Sequence, residues 1–121
     1  YLYPALAKSG ATVLAVPSNF NDTTGVAHWE PLLRARAIET GCYVLAPAQC
    51  GSLSTPHGVA RGTHGHSLAV SPWGEVLADG GTEVGVTCLT LDMEEVAKAR
   101  SRIPSLSHDR AFDGPDAGAA R

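Results

Sequence analysis

Two hydrophobic periods take turns along this chain. Tyr1 to Ser9 is rich in Ala and Leu and stops at Gly10, the pattern of a helix tail closed by glycine. Ala11-Thr-Val-Leu-Ala-Val16 is an unbroken apolar, β-branched run ended by Pro17, which predicts a strand covered on both faces. Ser18-Asn-Phe-Asn-Asp-Thr-Thr-Gly25 is rich in side chains that bond their own backbone and predicts a loop. From Ala27 to Thr40 the period becomes helical. Trp29, Leu32, Leu33 and Ala37 form one apolar stripe, and Glu30/Arg34 and Arg36/Glu39 are spaced to pair. Pro31 suits only a first turn, so the regular helix is expected to begin near Glu30 and to end at Gly41. Cys42 to Ala46 predicts a second covered strand.

Gln49 to Gly65 has no period and predicts a long loop, of the kind that is usually functional in a small domain. Ser67 to Val70, the turn Ser71-Pro-Trp-Gly74 and Glu75 to Ala78 predict a hairpin, and Val84 to Leu91 a further strand. Asp92 is a good N-cap for a helix that runs to about Arg102 and stops at Pro104. The segment 113–121 has little to bury and is expected to be disordered. Helix and strand alternate before a β-meander and a last helix, which predicts an α/β, layered fold.

The composition fits a globular domain: 121 residues, 44% hydrophobic and 17% charged. A net charge of −3 gives no basic face, which argues against nucleic acid or an acidic membrane surface as partner. No apolar run approaches the ~18 residues of a membrane span. The three cysteines, Cys42, Cys50 and Cys88, form no CxxC pair, so a reducing, cytoplasmic setting is expected. The single methionine is Met93 and the chain opens at Tyr1, so a processed protein or part of a longer one is expected.

Five histidines raise the question of metal. Cys50, His57, His64 and His66 share one stretch, but their spacing matches no structural zinc pattern, and loop histidines bonding backbone are the preferred reading. Cys42 and Cys88 fall in predicted strands, where a thiol packs rather than reacts, which leaves Cys50 as the only cysteine in a loop setting. No Gly-x-Ser-x-Gly elbow or phosphate-cradling loop occurs. The stretch from Ser18 to Gly25 leaves the carboxyl end of a strand, where α/β sheets place ligands, and His28 and Trp29 follow it. An N-capping loop with a core tryptophan accounts for the same residues.

Thr24-Gly-Val-Ala-His-Trp-Glu30 with Leu33-Arg-Ala-Arg-Ala-Ile-Glu39, then Gly65-His-Ser67 and Ser71-Pro-Trp-Gly-Glu-Val-Leu-Ala78, resemble the nitrilase or carbon–nitrogen hydrolase superfamily. The closing segment from Leu91-Asp92 to Ile103-Pro104 fits the same pattern. Phe20-Asn21 before Thr23-Thr24-Gly25 is similar to ω-amidases, and Ala46-Pro-Ala-Gln49 to deaminated-glutathione amidases. The resemblance implies that residues 1–112 are the carboxyl-terminal portion of a four-layer α-β-β-α sandwich. It implies a homodimer or higher homo-oligomer formed through the helices, a small carboxylate-bearing amide as substrate, and no metal or organic cofactor. It also implies a Glu–Lys–Cys catalytic set acting through a thioester. The nucleophile would precede the Ala5-Leu-Ala7 run, upstream of Tyr1, so no catalytic residue maps onto this chain and the segment alone is expected to be inactive. Ser18, Asn19, Phe20, Thr24 and His28 are the residues expected at the substrate pocket, although for Thr24 and His28 a network bracing the helix is an equal alternative. Arg34, Arg36, Glu39, His66 and Trp73 read as architecture. Ser71 stands where the family often has Asp, and His64 where Tyr is frequent. The competing reading of the chain is a short, non-catalytic relative that serves as a subunit or binding module.

Overall fold

The computed structural model describes residues 2–53, 58 and 61–110, so the expectation of a disordered 113–121 segment lies outside the described residues. Helix α1 (Leu2–Lys8) leads to strand β1 (Val13–Ala15), helix α2 (Asp22–Thr40) and strand β2 (Tyr43–Ala46). Strands β3 (Cys50–Leu53), β4 (Arg61–His64), β5 (Leu68–Val70) and β6 (Val76–Asp79) follow, then helix α3 (Glu94–Arg102) and a 3-10 turn, Ser105–Ser107. Four strands form a mixed sheet in the order β1-β2-β5-β6, in which β1 and β2 are parallel and the other neighbours antiparallel. The architecture is α/β and layered, as the alternation of periods predicted.

Neighbouring strands align Leu14 with Val44, Val44 with Val70 and Ala46 with Leu68, which puts these side chains on one face. Ala7 of α1 and Trp29, Leu33 and Ala37 of α2 close over that face to form the core. The other face is less covered: Tyr43 and Ala69 are buried, but Ala15 is exposed and Leu77 is 43% exposed. Both faces of β2 are packed as predicted, whereas β1, expected to be covered on both, is covered on one.

Helix α2 begins at Asp22, well before the expected start near Glu30, and runs through Pro31. Two local effects account for this. Asn21 caps the helix, its Oδ1 accepting from the Thr24 N–H at 2.9 Å. Pro31 lies on the exposed side with Ala27, so the Ala27 carbonyl that loses its partner faces solvent. The buried stripe is Gly25, Trp29, Leu33, Ala37 and Thr40, while Leu32 is 45% exposed, contrary to the sequence reading. Both expected ion pairs form, Arg34–Glu30 at 3.2 Å and Arg36–Glu39 at 2.6 Å.

Two further expectations are corrected. The stretch from Gln49 to Gly65 is not a plain loop: Cys50 to Leu53 pairs antiparallel with Arg61 to His64. Its small and polar residues carry no apolar alternation, so the pairing left no period to read. Residues 84–91 form no strand, and Val84 and Val86 are exposed, because an apolar pattern makes a strand only where a sheet edge pairs with it. Cys88 is accordingly exposed rather than packed in a strand. The last helix starts at Glu94, with the Asp92 carboxylate accepting from the Glu94 N–H at 3.0 Å.

Candidate functional site

The carboxyl ends of the parallel strands β1 and β2 run side by side into two loops, Pro17 to Asn21 and Pro47 to Gln49. Backbone bonds hold them together: the Ser18 N–H donates to the Pro47 carbonyl at 2.9 Å, and the Gln49 N–H to the Ser18 carbonyl at 3.1 Å. Between them lies an open cleft of about 480 Å³, lined by Pro17, Ser18, Asn19, Pro47, Ala48 and Gln49. Asn19 and Gln49 are exposed, and none of the six residues carries a charge. The end of a parallel strand pair is where sheets of this class present ligand-binding loops.

A second concavity, of about 200 Å³, adjoins the first through Ser18 and is lined by Tyr3, Val16, Phe20, Trp29, Leu32, Leu33 and Arg36 as well. Tyr3 belongs to the first turn of α1, so the chain enters α1 beside the same strand end that bears Ser18 and Phe20. Arg36 lies over the Tyr3 ring, 5.0 Å from its centre.

The five expected pocket residues divide. Ser18 and Asn19 line the cleft, and Phe20 lines the adjoining concavity with its ring 5.2 Å from Trp29. Thr24 is bound into the helix cap, its Oγ1 donating to Asn21 Oδ1 at 2.9 Å. His28 is exposed on α2 and lines neither concavity. Gln49 belongs to the cleft yet was not among the expected residues. The signal available was its place three residues after a covered strand parallel to the one ending at Pro17.

A knot of side chains braces the cleft from behind. The Trp29 Nε1–H donates to the His66 carbonyl at 2.7 Å, and His66 holds a φ of 56°, a left-handed conformation costly for a residue with a Cβ. Its N–H donates to the Gly81 carbonyl at 2.8 Å, and its Nδ1 lies 3.0 Å from an Asp79 oxygen. His64 stacks on His66 with ring centres 4.6 Å apart. His64 also fills the space above Gly25, where an added Cβ would stand 2.2 Å from its Cγ. Partial burial pushes the Asp79 carboxyl up. The Gly81 N–H, the bond from His66 and the neighbouring histidine charge outweigh this and hold it below its ordinary value.

Among the described residues no group of three or more His, Cys, Asp and Glu side chains is arranged to hold a metal; His57, weighed as a ligand, lies outside them. Cys42 is buried and Cys50 exposed, its thiol donating to the Thr82 carbonyl at 3.3 Å. No helix among the described residues is long and apolar enough to cross a membrane.

The family described as carbon-nitrogen hydrolase matches residues 1–101. The deaminated glutathione amidase of Synechocystis sp. is 45% identical over 107 residues, which cover 88% of this chain and 38% of that protein. The crystal structure of the Caenorhabditis elegans NitFhit protein is similar with a TM-score of 0.80 at 44% identity, over 90% of this chain and 26% of that one. That of Saccharomyces cerevisiae Nit3, a member of branch 10 of the nitrilase superfamily, gives a TM-score of 0.77 at 31% identity, over 92% and 39%. The chain thus spans 38% of the length of the curated relative, and its fold is that of the nitrilase-type proteins. With sequence and fold in agreement over nearly all the described residues, this chain belongs to the carbon–nitrogen hydrolase family.

Proposed function

We propose that this chain is the carboxyl-terminal portion, residues 1–112, of an amidase that hydrolyses a carbon–nitrogen bond in a small carboxylate-bearing amide. The catalytic Glu, Lys and Cys lie upstream of residue 1. The Glu takes the thiol proton, the thiolate attacks the amide carbon, and the C–N bond breaks as the amine leaves with that proton. Water then cleaves the thioester, while the Lys ammonium and a backbone N–H stabilise the oxyanion at each step. The similarity to a deaminated glutathione amidase supports this substrate class.

The observation that carries the reading is the position of α1. Tyr3 in its first turn lines one concavity with Ser18 and Phe20, so α1 begins beside the strand end that bears the cleft. A nucleophile supplied from upstream of α1 would stand near Ser18, which lines both concavities. The partly exposed second face of the sheet and the exposed Val84 and Val86 support a larger domain, because apolar surface of this kind is stabilised by burial. A homodimer formed through α1 and α2 belongs to the same reading, and the exposed Leu2, Leu6 and Leu32 on these helices support it.

The test is the whole open reading frame. It should encode a Cys shortly before Tyr1 with Lys and Glu further upstream, and its product should hydrolyse an ω-amide whereas the 121-residue chain should not. A stop codon directly upstream, or turnover by the short chain, contradicts the proposal. The former outcome favours the non-catalytic subunit instead.

A further inference from the structure

We propose that His66 and Asp79 are a positioning pair: the bond between their side chains holds residues 64–66 in the shape that ties both cleft loops from behind. The inference rests on the amidase reading above for its effect on turnover. Three successive N–H groups of this segment go to three different parts of the chain. His64 donates to the Phe20 carbonyl at 2.9 Å, Gly65 to the Gln49 carbonyl at 3.0 Å and His66 to the Gly81 carbonyl at 2.8 Å. Phe20 belongs to the loop after β1 and Gln49 to the loop after β2, so two adjacent residues hold the two loops that form the cleft. The chain then turns away to β6 through two consecutive left-handed residues, Gly65 with a φ of 70° and His66 with a φ of 56°.

Glycine adopts such a φ freely, whereas a residue with a Cβ does so at a cost. What His66 has and glycine lacks is a ring, and the ring is bonded: its Nδ1 lies 3.0 Å from an Asp79 oxygen. Asp79 also accepts from the Gly81 N–H at 2.8 Å, and the Gly81 carbonyl takes the His66 N–H, so Asp79, Gly81 and His66 close a circuit of bonds. Trp29 engages the remaining carbonyl of His66. Strain kept in place by surrounding bonds marks a residue that sets geometry. Neither His66 nor Asp79 lines the cleft or the concavity beside it, so the pair acts through the backbone of His64 and Gly65. The loops are also bonded to each other through Ser18, so loss of the pair loosens the cleft without dismantling it. A cleft held less tightly weakens binding of the substrate before it alters the chemistry.

The test follows amide hydrogen exchange in the product of the whole reading frame and in its His66→Gly, His66→Asn and Asp79→Ala variants. Glycine accepts the φ and removes the ring; asparagine tolerates the φ and keeps a side-chain N–H for Asp79. In His66→Gly and in Asp79→Ala the His64 and Gly65 amides should exchange roughly tenfold faster, the effect of one hydrogen bond left unmade, while those of the buried Val44 and Val70 stay protected. His66→Asn should restore the slow exchange. KM for a small ω-amide should rise by roughly tenfold in the same two variants, with kcat changed by less than about twofold. Unchanged exchange at His64 and Gly65 in either variant overturns the proposal. So does faster exchange that extends equally to Val44 and Val70, that persists in His66→Asn, or that leaves KM unmoved. If the unaltered product turns over no ω-amide, the amidase reading fails separately, and the exchange pattern alone decides the present proposal.

Discussion

The two ends of the β1–β2 pair use polar side chains in opposite ways. At the end where the strands begin, Arg100 of α3 is spent on the fold. Its Nη2 donates to the Ala11 carbonyl at 2.8 Å and its Nε to the Thr40 carbonyl at 3.2 Å. Its stem passes over Gly41, whose φ of 58° ends α2 and where an added Cβ would stand 2.7 Å from Arg100 Cγ. At the end where the strands finish, backbone bonds hold the loops and leave Asn19 and Gln49 facing an open cleft. One end is closed by a side chain; the other is closed by backbone, so its side chains are left for a ligand. The difference teaches that exposure of a polar residue is informative only once its backbone is known to be held by other groups.

Substitutions can break or sharpen that contrast. The largest loss is expected at Trp29, which braces the open end through the His66 carbonyl. Trp29→Ala should cost about 3–5 kcal/mol in urea unfolding of the whole gene product, through the cavity and the freed carbonyl. Arg100→Ala should come next, at about 2 kcal/mol, because two carbonyls lose a charged donor. A loss as small as that of an exposed residue would show that α3 is held by other means. Gly25→Ala should follow at about 1–3 kcal/mol, since its Cβ would displace His64 and with it the end of β4. Loss of His64–His66 contacts in the spectrum of the variant checks the cause.

The effect of Asp79 depends on pH. Its carboxyl titrates below the ordinary value when folded, so the carboxylate's contribution is present above the usual carboxylate pKa of about 4 and fades as pH falls through the folded value. Asp79→Asn should therefore be less stable than wild type at neutral pH, with the gap closing in acid. A gap that widens in acid contradicts the sign. The smallest effect belongs to the cleft: Asn19→Ala should change stability by no more than about 0.5 kcal/mol, yet raise KM for the amide. A stability loss as large as that at Arg100 would erase the difference between the two ends.

The sequence exposed much of this fold. Covered apolar runs marked β1 and β2, and Ser71-Pro-Trp-Gly74 marked a hairpin turn that closes as expected. There the Ser71 Oγ accepts from the Trp73 and Glu75 N–H groups at 3.2 and 3.1 Å, a role the carboxylate of Asp would also fill. Two of the misreadings share one cause. Pro31 misplaced the start of α2, and the apolar pattern of 84–91 suggested a strand, because each depends on surroundings the local pattern omits: a solvent-facing side in one case, an available sheet edge in the other. The site was legible in half. Ser18, Asn19 and Phe20 follow from the end of a strand, but Gln49 becomes part of the cleft only through the parallel pairing of β1 with β2. His28, expected to line or brace the pocket, is exposed on α2 and lines neither concavity.

The central claim is that the substrate meets this chain at the open strand end. Nuclear magnetic resonance of the labelled whole gene product, with its upstream nucleophilic Cys replaced by Ala and titrated with a small carboxylate-bearing ω-amide, tests it most directly. Saturable shifts are expected in the backbone and side-chain signals of Asn19 and Gln49, with Thr40 and Arg100 unmoved. Shifts centred on His28 or on the Arg100 end, with Asn19 and Gln49 unaffected, would contradict it.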